Sequence, residues 1–149
     1  MSQSESIEDK LNSLKVTLDN LIDRHTRVFI VPHDRADMDS LGACIGMSLI
    51  CKNKGKMPFI VINDAEKDIE AVTKEVICEI IDEFNFINKE EAKNLIDDNS
   101  LLLVVDTNKK QMISLSDCLD DFKEIMVIDH HRTGEDTIET NNLFMDESI

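Results

Sequence analysis

At 149 residues, with 42% apolar and 32% charged side chains, the chain has the make-up of one globular domain, or one domain with an arm. Its 31 acids against 16 bases leave a formal net charge of −15, which excludes a general attraction to duplex nucleic acid or anionic membrane. No apolar stretch is long enough to cross a bilayer, and the N-terminus lacks the basic region and apolar core of a secretory signal, so the expected compartment is the cytoplasm. The four cysteines, Cys44, Cys51, Cys78 and Cys118, form no CxxC pair and are expected to be reduced and buried.

Residues 1–5 read as a disordered start. Apolar residues at Ile7, Leu11, Leu14, Val16, Leu18, Leu21 and Ile22 have mostly helical spacing, so an amphipathic helix is expected from Ile7 to about His25. It is a helix leading into the domain, or one that binds a partner. Val28–Val31 is short and β-branched, hence a strand. A helix capped at Asp39-Ser40 follows to about Asn53 and ends at Gly55. Its small residues Gly42, Ala43 and Gly46 are expected to let it lie close to a sheet. Phe59–Ile62 is a second strand. Helices are expected from Glu66 to about Phe84 and from Lys89 to about Asp97. Leu101–Val105 is the third strand, Ser114–Asp121 a short helix or loop, Ile125–Ile128 the fourth strand and Leu143–Met145 a fifth. Strands that alternate with helices and are apolar throughout imply an α/β fold, a parallel sheet with helices on both faces.

Three of these strands run into candidate metal ligands. The first is followed by His33-x-x-x-Asp37-x-Asp39, where a locally extended loop would point both carboxylates one way. The third ends at Asp106. The fourth ends at Asp129-His130-His131. A parallel sheet gathers the carboxyl ends of its strands on one edge, where ligands bind. Imidazoles and carboxylates together suit a hard divalent metal. Adjacent histidines on an extended segment face opposite ways. One would ligate, and the other is free to hold a phosphoryl oxygen or deliver a proton. Taken singly, each cluster also reads as an ordinary solvated turn or helix cap.

Taken together, His33-x-x-x-Asp37-x-Asp39-Ser40, Asp106 and Asp129-His130-His131 resemble the first three motifs of the DHH phosphoesterase superfamily. Asp37-Met38-Asp39-Ser40, Val105-Asp106-Thr107-Asn108 and Ile128-Asp129-His130-His131-Arg132-x-Gly134-Glu135 are most similar to the GdpP-type cyclic-di-AMP phosphodiesterases. The resemblance runs from about Val28 to the C-terminus. It implies a Rossmann-like DHH domain over residues 27–149, preceded by an arm and helix over residues 1–26. It also implies two manganese sites, with Mg2+, Co2+ or Zn2+ as alternatives. His33 and Asp37 would bind one ion, Asp39 and His130 the other, and Asp106 would bridge. Asp129 would orient a neighbouring imidazole in support of catalysis. His131 would be catalytic and, with Arg132, contact the scissile phosphate.

The implied activity is hydrolysis of cyclic di-AMP to the linear dinucleotide. A nano-RNase or phosphoadenosine phosphatase activity, or a non-catalytic regulatory module, is the alternative. Two departures bear on this. The family supplies one more Asp ligand well beyond the DHH motif, and a second, substrate-gripping domain; nothing after His131 matches either. The expectation is therefore a C-terminally truncated domain, weak or inactive alone. A small nucleotide or phosphoester is the expected ligand, and a second copy or a missing C-terminal domain the expected partner.

Overall fold

A computed structural model of the chain describes residues 6–62, 69–129, 134–140 and 142–145. Helix α1 (Ile7–Arg24) starts at Ser6, whose Oγ accepts the Asp9 N–H at 3.1 Å. Its apolar seam divides along its length. Leu18, Leu21 and Ile22 are buried, whereas Ile7 and Leu11 are exposed. The last two turns thus belong to the core and the first turns stand clear of it.

The chain continues through β1 (Arg27–Val31), α2 (Met38–Asn53), β2 (Met57–Val61), α3 (Ala71–Ile80), β3 (Phe86–Ile87), α4 (Lys89–Leu95), β4 (Ser100–Val105), β5 (Glu124–Asp129) and β6 (Asn142–Met145). All six strands are parallel, in the order β3-β2-β1-β4-β5-β6. The α/β reading therefore holds, including the apolar strands that it rested on. Side chains alternate across the sheet. Val28, Ile30, Ile60, Leu101 and Leu103 face α1 and α2, while Phe29, Val31, Val61, Leu102 and Val104 face the other way. That second face is covered by α4, by Ile113 and Leu115 between two 3-10 turns (Lys110–Met112 and Ser116–Asp121), by Cys118 in the second of them, and by Ile138.

Several local expectations need correction. Gly42, Ala43 and Gly46 are exposed. The face of α2 that meets the sheet is Ser40, Leu41, Cys44, Ser48 and Cys51, so small hydroxyl and thiol side chains allow the close approach. The expected start of α3 at Glu66 lies outside the described residues; the helix begins at Ala71, after Ile69, which makes an isolated bridge with Ala36, and Glu70, the N-cap. It also stops at Ile80, short of Phe84, because the chain must turn there to pair with β2. The Ile60 N–H donates to the Asn85 carbonyl at 2.8 Å, which creates the two-residue strand β3 that the pattern did not reveal. Cys78 is exposed, unlike the other three cysteines. Burial pushes the Cys51 thiol up to about 12, so it is inert at neutral pH.

The turn after α2 is a Schellman motif. The Lys56 N–H bonds the Cys51 carbonyl at 3.0 Å and the Gly55 N–H bonds the Lys52 carbonyl at 3.0 Å, with Gly55 at φ 74°. A Cβ there meets no heavy atom within 4 Å, so Gly55→Ala isolates the backbone cost. It should destabilise the fold by ~1 kcal/mol, a fall in Tm of ~3 °C, read by thermal melting.

A second expectation concerns acid. Between α4 and β4 the Asp97 carboxylate accepts the Asn99 N–H at 2.9 Å and the Ser100 hydroxyl at 2.8 Å, with Arg27 Nε 3.5 Å away. These hold its carboxyl below the usual range, the Asn99 amide most of all. Its ionised form therefore stabilises the fold fully above about pH 4. That contribution is lost as pH falls through the lower value of the folded state. Asp97→Asn should flatten the acid limb of the stability profile in melts between about pH 2 and 6. The effect should be small, because the carboxylate is largely solvated.

Candidate metal centre

The strand order reverses between β1 and β4, and the crevice outside the carboxyl ends at such a point is where open parallel sheets bind ligands. His33 lies two residues beyond β1. The loop that carries it is tied on both sides. The Asp34 N–H donates to the Met112 carbonyl at 2.6 Å, and Ala36 bridges Ile69.

Asp37 then caps α2. Its Oδ1 accepts the Ser40 N–H at 2.9 Å, and Ser40 Oγ accepts the Asp37 N–H at 3.0 Å. The cap is thus Asp37, not the Asp39-Ser40 pair, because Asp37 is the residue with extended backbone (φ −110°, ψ −177°) and Ser40 sits three residues on. The Ser40 amide holds the Asp37 carboxyl below its usual value, helped by the Ser40 hydroxyl and the nearby His33. The helix-starting anion is also favoured by the dipole of α2.

Asp106 follows β4 directly. Its backbone lies in the left-handed region at φ 63°, while its N–H still donates to the Ile128 carbonyl at 3.1 Å. Among non-glycine residues Asp and Asn tolerate this region best. The turn brings Asp106 Oδ2 to 3.5 Å from His33 Nε2. One donor atom each from His33, Asp37 and Asp106 fall within 4.8 Å of one another, all three side chains half-buried. They line a cleft of about 450 Å3 with Asp39, Thr107, Asn108, Lys109 and Met112.

The other expected residues are placed differently. Asp39 lines the same cleft but stands outside the three-atom group. It is the second residue of α2, not part of an extended loop, so 37 and 39 do not present their carboxylates as an alternating pair. Asp129 is buried at the end of β5, where its Oδ2 accepts Asn108 Nδ2 at 2.8 Å. His130, His131 and Arg132 lie outside the described residues. Sequence reasoning gave no role to Thr107, Asn108, Lys109 or Met112. The available signal was an Asn placed two residues after a strand-end Asp.

An imidazole nitrogen and two carboxylates within mutual reach, one of them held ionised by a helix cap, fit a divalent cation with mixed nitrogen and oxygen ligands. Cys44 is buried on the sheet-facing side of α2. Burial drives its thiol well above the usual range, and the Asp106 charge adds to that.

Comparison with known proteins matches a family model, described as the DHH family, N-terminal domain, to residues 27–148. The cyclic-di-AMP phosphodiesterase GdpP of Bacillus subtilis (strain 168) is 35% identical over 125 residues, which cover 81% of this chain and 19% of that protein. The bifunctional oligoribonuclease and PAP phosphatase NrnA of Mycoplasma pneumoniae is 31% identical over 130 residues, covering 85% of this chain and 37% of that protein. The crystal structure of an exopolyphosphatase-related protein from Bacteroides fragilis matches with a TM-score of 0.65 at 19% identity, over 93% of this chain and 40% of that one. That likeness is one of fold. The chain spans about a fifth of the length of the GdpP relative, and no helix among its described residues is long and apolar enough to cross a membrane.

Proposed function

The chain belongs to the DHH family, and from that premise we propose that it is the metal-binding half of a manganese-dependent phosphodiesterase that opens cyclic di-AMP to the linear dinucleotide. The observation that carries the reading is the meeting of His33, Asp37 and Asp106 in one cleft at the reversal of strand order. Residues 27–149 are the DHH domain, and residues 1–26 the arm that leads into it. His33 and Asp37 would hold one ion and Asp39 and His130 a second, with Asp106 within reach to serve them. A bound pair of cations supplies an acidified water at neutral pH and offsets phosphodiester charge.

The chain's own side chains do the rest. Ser40 keeps Asp37 ionised and oriented. The turned backbone of Asp106 aims its carboxylate across the crevice towards His33. His131 and Arg132 contact the phosphate, and Asp129 supports a neighbouring imidazole. Lys109 lines the cleft wall, with its ammonium 3.5 Å from the Asp136 carboxylate.

A second reading has its own support. The likeness to a protein named as an oligoribonuclease and PAP phosphatase favours short linear nucleotides as substrates for the same centre. The test is a substrate panel on the purified chain with Mn2+: cyclic di-AMP, the linear dinucleotide and phosphoadenosine phosphate, with products separated by chromatography. Cyclic di-AMP should turn over slowly, but faster than with Asp106→Asn. A preference for either linear substrate would move the assignment to the second reading. Equal rates for wild type and variant on all three would sink the phosphoesterase assignment.

A further inference from the structure

Between Asp129 and Gly134 the sequence carries His130-His131-Arg132-Thr133, and both flanks of that stretch are tied to one side chain. Asn108 is fully buried, two residues beyond Asp106. Its Nδ2 donates to Asp129 Oδ2 at 2.8 Å, and its Oδ1 accepts the Thr137 hydroxyl at 3.1 Å. Thr137 Oγ1 in turn accepts the Gly134 N–H at 2.8 Å. The Asn108 carbonyl accepts the Ile138 N–H at 2.7 Å.

Only a primary amide suits both sides. A carboxylate acceptor faces its NH2 and a hydroxyl donor faces its oxygen, so the orientation of the amide is fixed by its partners. An aspartate in its place would set carboxylate against carboxylate, and an alanine would leave a buried carboxylate and hydroxyl without their shared partner. The bland alternative is an ordinary turn asparagine. Such residues bond their own backbone two residues on and sit at the surface. Asn108 is buried and bonds side chains 21 and 29 residues away.

We infer that Asn108 is a positioning residue that fastens Asp129 and residues 134–138 to the exit of β4. It thereby fixes the two ends between which residues 130–133 run, and their distance from Asp106. Its consequence for metal binding rests on the phosphodiesterase reading; its consequence for residues 134–138 does not.

The experiment is amide hydrogen exchange together with Mn2+ titration on the full chain, for wild type, Asn108→Ala, Asn108→Asp and Thr137→Val. In both Asn108 variants exchange should rise at residues 134–138, while the amides of Phe29 and Ile60 in β1 and β2 keep their protection. Mn2+ affinity should fall ~10–100-fold, the range for partners that orient metal ligands. Thr137→Val keeps the bond to Asp129 and should lose less. Added to Asn108→Ala, it should cost less than the sum of the two. Should the Asn108 variants fail to fold, Thr137→Val carries the same comparison. Unchanged exchange at 134–138 overturns the inference, and so does raised exchange with wild-type metal affinity. If wild type takes up no Mn2+, the phosphodiesterase reading falls, and exchange alone decides: local loss upholds the fastening, no change refutes it.

Discussion

Asp106→Asn should bind Mn2+ at least ~100-fold more weakly than wild type, since even partners outside the ligand shell are worth ~10–100-fold. Its melting temperature without metal should stay close to that of wild type. The reason for both lies in the backbone. Asp106 sits at φ 63°, a conformation that Asn adopts as readily as Asp, and its N–H bond to the Ile128 carbonyl needs no side chain. The substitution therefore removes one negative charge and keeps the backbone turn and the shape of the side chain. His33 loses its 3.5 Å ionic neighbour, and a neutral amide oxygen replaces the anionic ligand that lies within reach of both His33 and Asp37. Asp106→Ala is the less clean variant, since it adds ~1–2 kcal/mol of left-handed strain. Calorimetric titration reads the affinity. Thermal melting with and without Mn2+ gives an independent reading, because a ligand that binds only the folded state raises its stability by mass action. Wild-type affinity in Asp106→Asn would remove Asp106 from the ligand set.

Phe29→Ala should be the most damaging core substitution, at ~3–5 kcal/mol. Phe29 is fully buried on the central strand β1. Its ring stacks on Phe59 at 5.2 Å between centroids and meets the edge of Phe122 at 5.6 Å. Alanine removes both aromatic contacts and leaves a cavity between β1, β2 and the segment before β5. Against a total stability of ~5–15 kcal/mol the loss is large, and the Tm should fall by ~10 °C or more. Urea unfolding measures it directly. A cost below ~1 kcal/mol would mean that the three rings do not form a single packed unit.

The strands were legible because a doubly covered parallel sheet asks every strand residue to be apolar. Leu101–Val105 meets that demand without exception, and five such residues between Ser100 and Asp106 are too few for an ordinary helix. The meeting of His33, which follows β1, with Asp106, which follows β4, accords with the same logic. What failed was finer. Gly42 and Gly46 suggested close packing by size, but helical phase assigns the sheet-facing stripe to Ser40, Cys44 and Ser48, and residue size does not fix phase. Asp37 and Asp39 compete for one cap, and the reciprocal bond from Ser40 decides it for Asp37. Strand β3 has two residues, too few for any period. The Asn108–Thr137 contact spans 29 residues, so no local pattern could announce it.

The strand order has a consequence for how the protein assembles. β1 pairs directly with β4, from Arg27 against Ser100 onward, and the neighbouring Thr26 and Asn99 are 73 residues apart. Parallel neighbours so distant in the chain cannot zip from a hairpin, and closing so long a loop is entropically costly before any contact rewards it. His33 and Asp37 follow β1, whereas Asp106 follows β4. The donor set is therefore born only when the slowest pairing of the sheet is made. A divalent ion offered to a refolding chain will be captured at the rate of sheet assembly rather than of diffusion, and the moment of capture marks closure of the central strands.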